Sequence, residues 1–337
     1  MATYKGIQGY SVQKLTSDPT VADTIGQLWY NSSTGKFNIS VQGAGAWSSG
    51  GDLNKNRSRI AGCGTSTAGL AIAGVNGGGV PQHKLVEQYD GTTWTEIADL
   101  NQEREAGASA NNSPATNTLY FGGNAANIPG QSNHTESWNG TSWTETQNLN
   151  TARSGGGSAG VSNTSALYFG GEHPPTGATE SWDGTSWTTG NSMNTARAYL
   201  TGTGLATAAL AIGGDYAPAQ VALTEKWDGT CWTEDNDLNQ ATGSNASAGT
   251  TALAICMGGY FAPASPAYIA NTETWDGTSW AVQAAMSVGR GSTPDGFGTS
   301  TAAVCAGGGN PAYTPTKLAS TENWADPVLA IKAVTVS

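Results

Sequence analysis

Few residues in this chain are suited to chemistry. His83, His134 and His173 fall in the corresponding connection of three successive repeats, and three imidazoles around one ion form an open metal site. Their offsets from the next aromatic residue differ, being six to Tyr89, four to Trp138 and nine to Trp182. Sequence register therefore does not bring them together, and neither a metal nor another cofactor is expected. A Glu stands two residues ahead of a recurring aromatic at Glu87, Glu136, Glu180, Glu225, Glu273 and Glu322. A carboxylate present in every repeat reads as a structural partner of a repeated Arg or of a backbone amide, because catalysis needs one asymmetric constellation. Cys63, Cys231, Cys256 and Cys305 lie far apart without C-x-x-C spacing, which fits buried small side chains better than a disulfide framework or a zinc knuckle. The chain has no Walker loop, H-E-x-x-H or paired-carboxylate motif, so a non-enzymatic protein is expected.

Composition removes other classes. Charged residues make up 12% of the 337, about half the usual share. The 47 Gly and 13 Pro disfavour long helices. A net charge of -11 with only 14 Lys plus Arg repels a phosphate backbone, so nucleic acid is not an expected partner. No apolar window of about 18 residues is present, so membrane insertion is not expected. The opening MATYKGIQGYSVQKLTSDPT lacks the charged start, apolar run and cleavage pattern of a secretory signal. Retention in the producing cell until lysis is the expectation.

The elements that position these residues are read from a repeat. TESWNGTSWTETQNLNTARSGGG at Thr135 returns as TESWDGTSWTTGNSMNTARAYL from Thr179, TEKWDGTCWTEDNDLNQATG from Thr224 and TETWDGTSWAVQAAM from Thr272, with a weaker copy, VEQYDGTTWTEIADLNQER, from Val86. The position four after the Leu or Met gives Arg57, Arg104, Arg153, Arg197, Thr242 and Arg290, separated by 47, 49, 44, 45 and 48 residues. Each unit also holds a short apolar run closed by glycine, as in LAIAG at Leu70, LYFGG at Leu119 and Leu167, LAIGG at Leu210, ICMGG at Ile255 and VCAGG at Val304. Such runs without polar alternation are strands covered on both faces. The Asp-Gly or Asn-Gly that follows T-E-x-W predicts a tight hairpin turn. It sets paired aromatics across the hairpin: Tyr89 with Trp94, Trp138 with Trp143, Trp182 with Trp187, Trp227 with Trp232 and Trp275 with Trp280.

Four strands per unit of about 45 residues is the arithmetic of a propeller blade. The sixth unit ends at Trp324 without the turn and second Trp. Trp47, however, precedes Leu53 by six residues, as Trp94 precedes Leu100 and Trp143 precedes Leu149. The expected fold is therefore all-β, a six-bladed propeller of four antiparallel strands per blade, closed by an N-terminal strand joining the C-terminal blade. Residues 1–42 form an extension with a hairpin at 27–40, 43–326 form the propeller, and 327–337 form a strand-like tail. Arg57, Arg104, Arg153, Arg197 and Arg290, with Trp47, Trp143, Trp187, Trp232 and Trp280, are its structural repeat residues. The loops between strands two and three vary most, and binding usually sits on variable loops over a rigid scaffold. Tyr216, Tyr260, Phe261, Tyr268 and Tyr313 in the last three of these loops are the candidate binding residues.

In its repeated Arg, the glycine pair after strand two and the aromatics of strands three and four, the chain resembles kelch-repeat β-propellers over residues 45 to 325. Ala73-Gly74 in unit one and Thr242 in unit five depart from that pattern. GIQGYSVQ, GQLWYNSSTGKF and the WDGTSW repeats also resemble kelch-type proteins of bacteriophages, especially marine ones. The second resemblance implies a structural or adhesin protein of a virion, on the tail or capsid. Its partners would be other virion subunits and a host-surface glycan or protein, and homo-oligomers are compatible with it. Two alternatives stand beside it. One is a carbohydrate-active copper oxidase similar to kelch-type galactose oxidases, which implies Tyr and His ligands and a Tyr to Cys crosslink. The other is a self-assembling surface filament joined by terminal strands.

Overall fold

A computed structural model of the chain describes residues 12–18, 27–42, 45–76, 84–125, 130–172, 174–216, 219–264, 267–292, 295–312, 316–326 and 329–334. Every regular element among them is a β-strand, and none is a helix long and apolar enough to cross a membrane. The chain divides into two compact units, one of residues 1–46 with 326–337 and one of Trp47–Ala325.

In the larger unit, Ala61–Thr65, Ala68–Ile72, Val86–Tyr89 and Trp94–Glu96 form the first four-stranded antiparallel sheet, and the same order recurs along the chain. The sixth sheet takes Asp295–Gly298, Ala302–Ala306 and Thr321–Ala325, with Ala46–Ser49 as its outer strand. These six sheets are the blades of a β-propeller, numbered one to six in chain order. Their first strands touch in cyclic order, blade six against blade one. Tight approach is possible there because strand one carries small residues: a Cβ at Gly296 of blade six would stand 2.7 Å from the Ala246 Cβ of blade five.

The apolar core lies between blades. Each of six buried clusters draws on two neighbouring sheets. Leu119 and Phe121 of blade two, for example, meet Tyr168, Trp182 and Trp187 of blade three. The paired aromatics stand 4.8 Å apart for Tyr89 and Trp94, and 5.2 to 5.5 Å apart for the four Trp–Trp pairs. Trp47 lies 5.5 Å from Trp324 in the same relation. Such contacts contribute roughly 0.5 to 1.5 kcal/mol beyond area burial.

The second aromatic also ties each blade to the one before it. The indoles of Trp187, Trp232, Trp280, Trp94 and Trp47 donate to the Thr hydroxyl that opens the preceding third strand, at 2.9 to 3.1 Å. Trp143 has Val86 at that place and donates instead to the Ala98 carbonyl at 3.1 Å.

The expected hairpin turn joins strands three and four. Trp138 pairs with Trp143 across a four-residue loop, and in each such loop only the glycine has positive φ, as at Gly140 with 93°. The Asn or Asp side chain stabilises it, with Asn139 Oδ1 accepting from the amides of Thr141 and Ser142 at 2.9 Å. Such a local side-chain acceptor is the reason Asn and Asp favour turns. Ala73, where other blades have glycine, adopts φ of 62° and so keeps the turn at the cost of a left-handed alanine.

In the smaller unit, Gln13–Leu15, Leu28–Asn31, Lys36–Gln42 and Leu329–Ala333 form one sheet in that order, the first pair parallel and the others antiparallel. The extension and the tail, expected as separate segments, thus share one sheet. Asp18 accepts from Trp29 Nε1, Asn31 Nδ2 and Asn38 Nδ2 at 2.8 to 2.9 Å. Those bonds, Asn31's first, hold its carboxyl below the usual value.

Candidate functional site

The repeated ionisable residues are structural clamps. Arg197 Nη1 donates to the carbonyls of Gly213 and Leu223, at the two ends of the loop between strands two and three, and Nη2 donates to Glu225 Oε1 at 2.9 Å. Arg57, Arg104, Arg153 and Arg290 repeat the pattern with Glu87, Glu136, Glu180 and Glu322, all five pairs being buried. The second oxygen of Glu225 accepts from the Asn194 amide at 2.7 Å, while Asn194 Nδ2 donates to the Trp232 carbonyl. Sequence reasoning missed these asparagines: Asn54, Asn101, Asn150, Asn194 and Asn239 each follow the Leu or Met, and that fixed position was the available signal.

Asymmetry is pronounced at the mouth of the central channel. Just ahead of each first strand one residue has left-handed φ: Arg59, Ala106, Gly155, Tyr199, Ser244 and Ser292. Their backbones form a chain of bonds from blade to blade, Arg59 N to Ser292 O, Ala106 N to Arg59 O, Gly155 N to Ala106 O, Tyr199 N to Gly155 O and Ser244 N to Tyr199 O, at 2.6 to 3.2 Å. Along this chain of left-handed residues the side chains vary, with serine alone repeated, in blades five and six. Arg59 pairs with Glu105 at 2.6 Å. The Tyr199 hydroxyl donates to Glu172, which also accepts from Ser154 at 2.7 Å. Burial, then the bond to Glu172, raises the Tyr199 pKa. Burial, together with the charge of Glu172, raises that of Asp215 against the bond from Gln220. Burial, then the charge of Arg59, lowers that of Lys317. Glu172 and Asp215 directly follow a glycine pair, and the six residues at that position, Val75, Asn124, Glu172, Asp215, Tyr260 and Gly309, differ in kind. This was the sequence signal for the mouth.

Among the predicted binding residues, Tyr260 and Tyr268 meet with ring centroids 5.3 Å apart. Phe261 sits half-buried beside them. Tyr216 is 55% exposed, at the tip of a short hairpin of Asp215–Tyr216 with Ala219–Gln220. Tyr313 lies outside the described residues, as do His83 and His173. His134 Nδ1 is 2.7 Å from Glu145 Oε1 and 3.2 Å from Gln102 Nε2. Among the described residues no group of three or more His, Cys, Asp and Glu could hold a metal. Cys63, Cys256 and Cys305 are buried, and burial pushes the Cys256 thiol up to about 12. Cys231, expected to be buried, is exposed because it takes the place of a turn serine, its thiol donating to Asp228.

Beneath the mouth the first strands line a cavity of about 70 Å³. Its far end is crossed by a loop of blade two longer than its counterparts. Asn111 and Asn112 donate from their side chains to the carbonyls of Gly202 in blade four and Gly249 in blade five, and Asn112 N donates to Gly160 O in blade three.

No protein-family model matches the chain, and no curated protein matches it. The solved structure of YjhT, a kelch-like β-propeller protein, is similar to it with a TM-score of 0.67 and 13% identity, covering 84% of this chain and 99% of that one. That likeness concerns the fold.

Proposed function

We propose that this chain is a non-enzymatic binding scaffold of a bacteriophage particle, a tail or capsid appendage that presents its propeller loops to a host-surface glycan or protein. One observation carries the binding reading. The clamps, turns and Trp pairs recur from blade to blade, whereas chemical variety gathers on one face, at the channel mouth and the loops between strands two and three. A rigid scaffold under variable loops is the usual arrangement for recognition. The particle assignment draws on the resemblance of the opening segment and the WDGTSW repeats to kelch-type phage proteins. Its partners in that setting are other virion subunits, and it leaves the producing cell by lysis.

Immunogold labelling of purified particles tests this reading. Gold on the particles, together with inhibition of host adsorption by the isolated protein, is expected. Gold confined to the host cytoplasm would overturn it.

A further inference from the structure

The loops of blades four and five are joined into one surface. Gln220 Nε2 donates to Asp215 Oδ1 at 3.4 Å, and Gln220 Oε1 accepts from the amide of Ala262 in the next blade at 3.1 Å. The Asp215 carboxylate lies over Gly243, where a Cβ would collide with it. Gly243 in turn exchanges both backbone hydrogen bonds with Tyr260, at 3.1 and 2.7 Å. A single bare glycine therefore separates the carboxylate from the Tyr260 backbone. Tyr268 packs against Tyr260 and over Gly291, whose added Cβ would stand 3.1 Å from the Tyr268 ring. Asp215, Tyr260 and Tyr268 are all partly exposed.

A carboxylate and a T-shaped pair of aromatic rings on adjoining loops suit a ring that is apolar on its C–H face and carries hydroxyls at its edge. Aromatic side chains supply large, rigid contact area with little entropy to lose. A carboxylate accepts strong hydrogen bonds from hydroxyl donors. Glu172 lies close enough for its charge to act on Asp215. With the net charge of -11, it disfavours an anionic ligand here.

We propose that the Asp215–Gln220 hairpin and the Tyr260–Tyr268 pair form a subsite for a neutral pyranose of a glycan, the tyrosines covering its C–H face and Asp215 accepting from its hydroxyls. This rests on the binding reading above and names the ligand class.

The test uses the full chain, an array of neutral and acidic oligosaccharides, and saturation-transfer NMR with methyl hexopyranosides. Neutral sugars are expected to bind, with transfer strongest at ring C–H protons. Tyr268→Ala and Asp215→Asn are each expected to weaken binding about tenfold or more at unchanged thermal midpoint, and Asp215→Asn, which keeps the shape, guards against a folding artefact. Preference for acidic sugars, binding of host protein without any sugar, or affinity indifferent to both substitutions overturns the proposal. If the protein blocks adsorption to host cells but binds no neutral sugar, the adhesin reading stands and the pyranose subsite falls. If it binds sugar but is absent from particles, the subsite stands and the particle reading falls.

Discussion

Blades four and five differ at the buried clamp position, Arg197 against Thr242. In blade four the guanidinium holds Glu225 and both ends of the loop between strands two and three. In blade five Thr242 Oγ1 reaches only the Gly258 carbonyl, at 3.3 Å. Glu273 is nonetheless buried, because the backbone closes on it. The Gln240 amide stands 2.9 Å from Oε1, where the matching amides in blades two, four and six stand at 3.3 to 3.4 Å. Amides can therefore satisfy the carboxylate, and the distinct role of the arginine is to tether the loop. The loop released from that tether carries Tyr260, Phe261 and Tyr268. The arginine tether is absent from the loop that carries the proposed binding residues.

Removing the clamp gives the largest expected effect. Arg197→Ala strands the buried Glu225 and should cost about 3 to 5 kcal/mol in urea unfolding. Thr242→Ala removes one neutral hydrogen bond and should cost about 1 kcal/mol. Equal losses would break the distinction between the blades. The reverse change sharpens it: Thr242→Arg should add about 1.5 kcal/mol and slow hydrogen exchange at the amides of Tyr260 and Phe261. A destabilised variant with unchanged exchange would show that blade five has no room for the tether.

A smaller effect concerns the turns, where blade two uses Asn139 and blades one, three, four and five use Asp90, Asp183, Asp228 and Asp276. The Thr185 hydroxyl, then the Ser186 amide, holds Asp183 at about 2, and Thr278 and Ser279 do the same for Asp276. Asp90 and Asp228 are lowered too, chiefly by the amides of Thr93 and Cys231. A carboxyl with a lowered folded pKa adds stability above its unfolded value of 3.8 and loses it as pH falls toward about 2. The thermal midpoint should fall through that window. Replacing all four Asp by Asn, for which Asn139 is the precedent, should flatten the slope. The smallest effect is expected for Val86→Thr, which offers Trp143 the hydroxyl partner used elsewhere and should change stability by less than about 1 kcal/mol.

The blades were legible in the sequence because each unit repeats local markers, a closing glycine after strand two and aromatics at fixed spacing in strands three and four. Trp47 was legible for the same reason, since its six-residue separation from Leu53 matches the complete repeats. The Arg and Glu positions were visible as a periodic pair, although the loop carbonyls that Arg also holds were not. The mouth was less legible. The left-handed chain, the plug of Asn111 and Asn112 and the Gln220 stitch depend on neighbours 42 to 233 residues away, and no local periodicity records such contacts. Cys231 was misread because a thiol took a serine's place.

The sixth blade borrows its outer strand, Ala46–Ser49, from the segment before the first repeat. On a ribosome that strand emerges long before Thr321–Ala325, its neighbour. At 5 to 20 residues per second the interval is roughly 15 to 55 s. During it blades one to five have nearest neighbours to fold against, while Trp47 waits without Trp324. Synthesis rate and chaperone access therefore bear on this protein most heavily at its last step, when a strand made first is captured by strands made last.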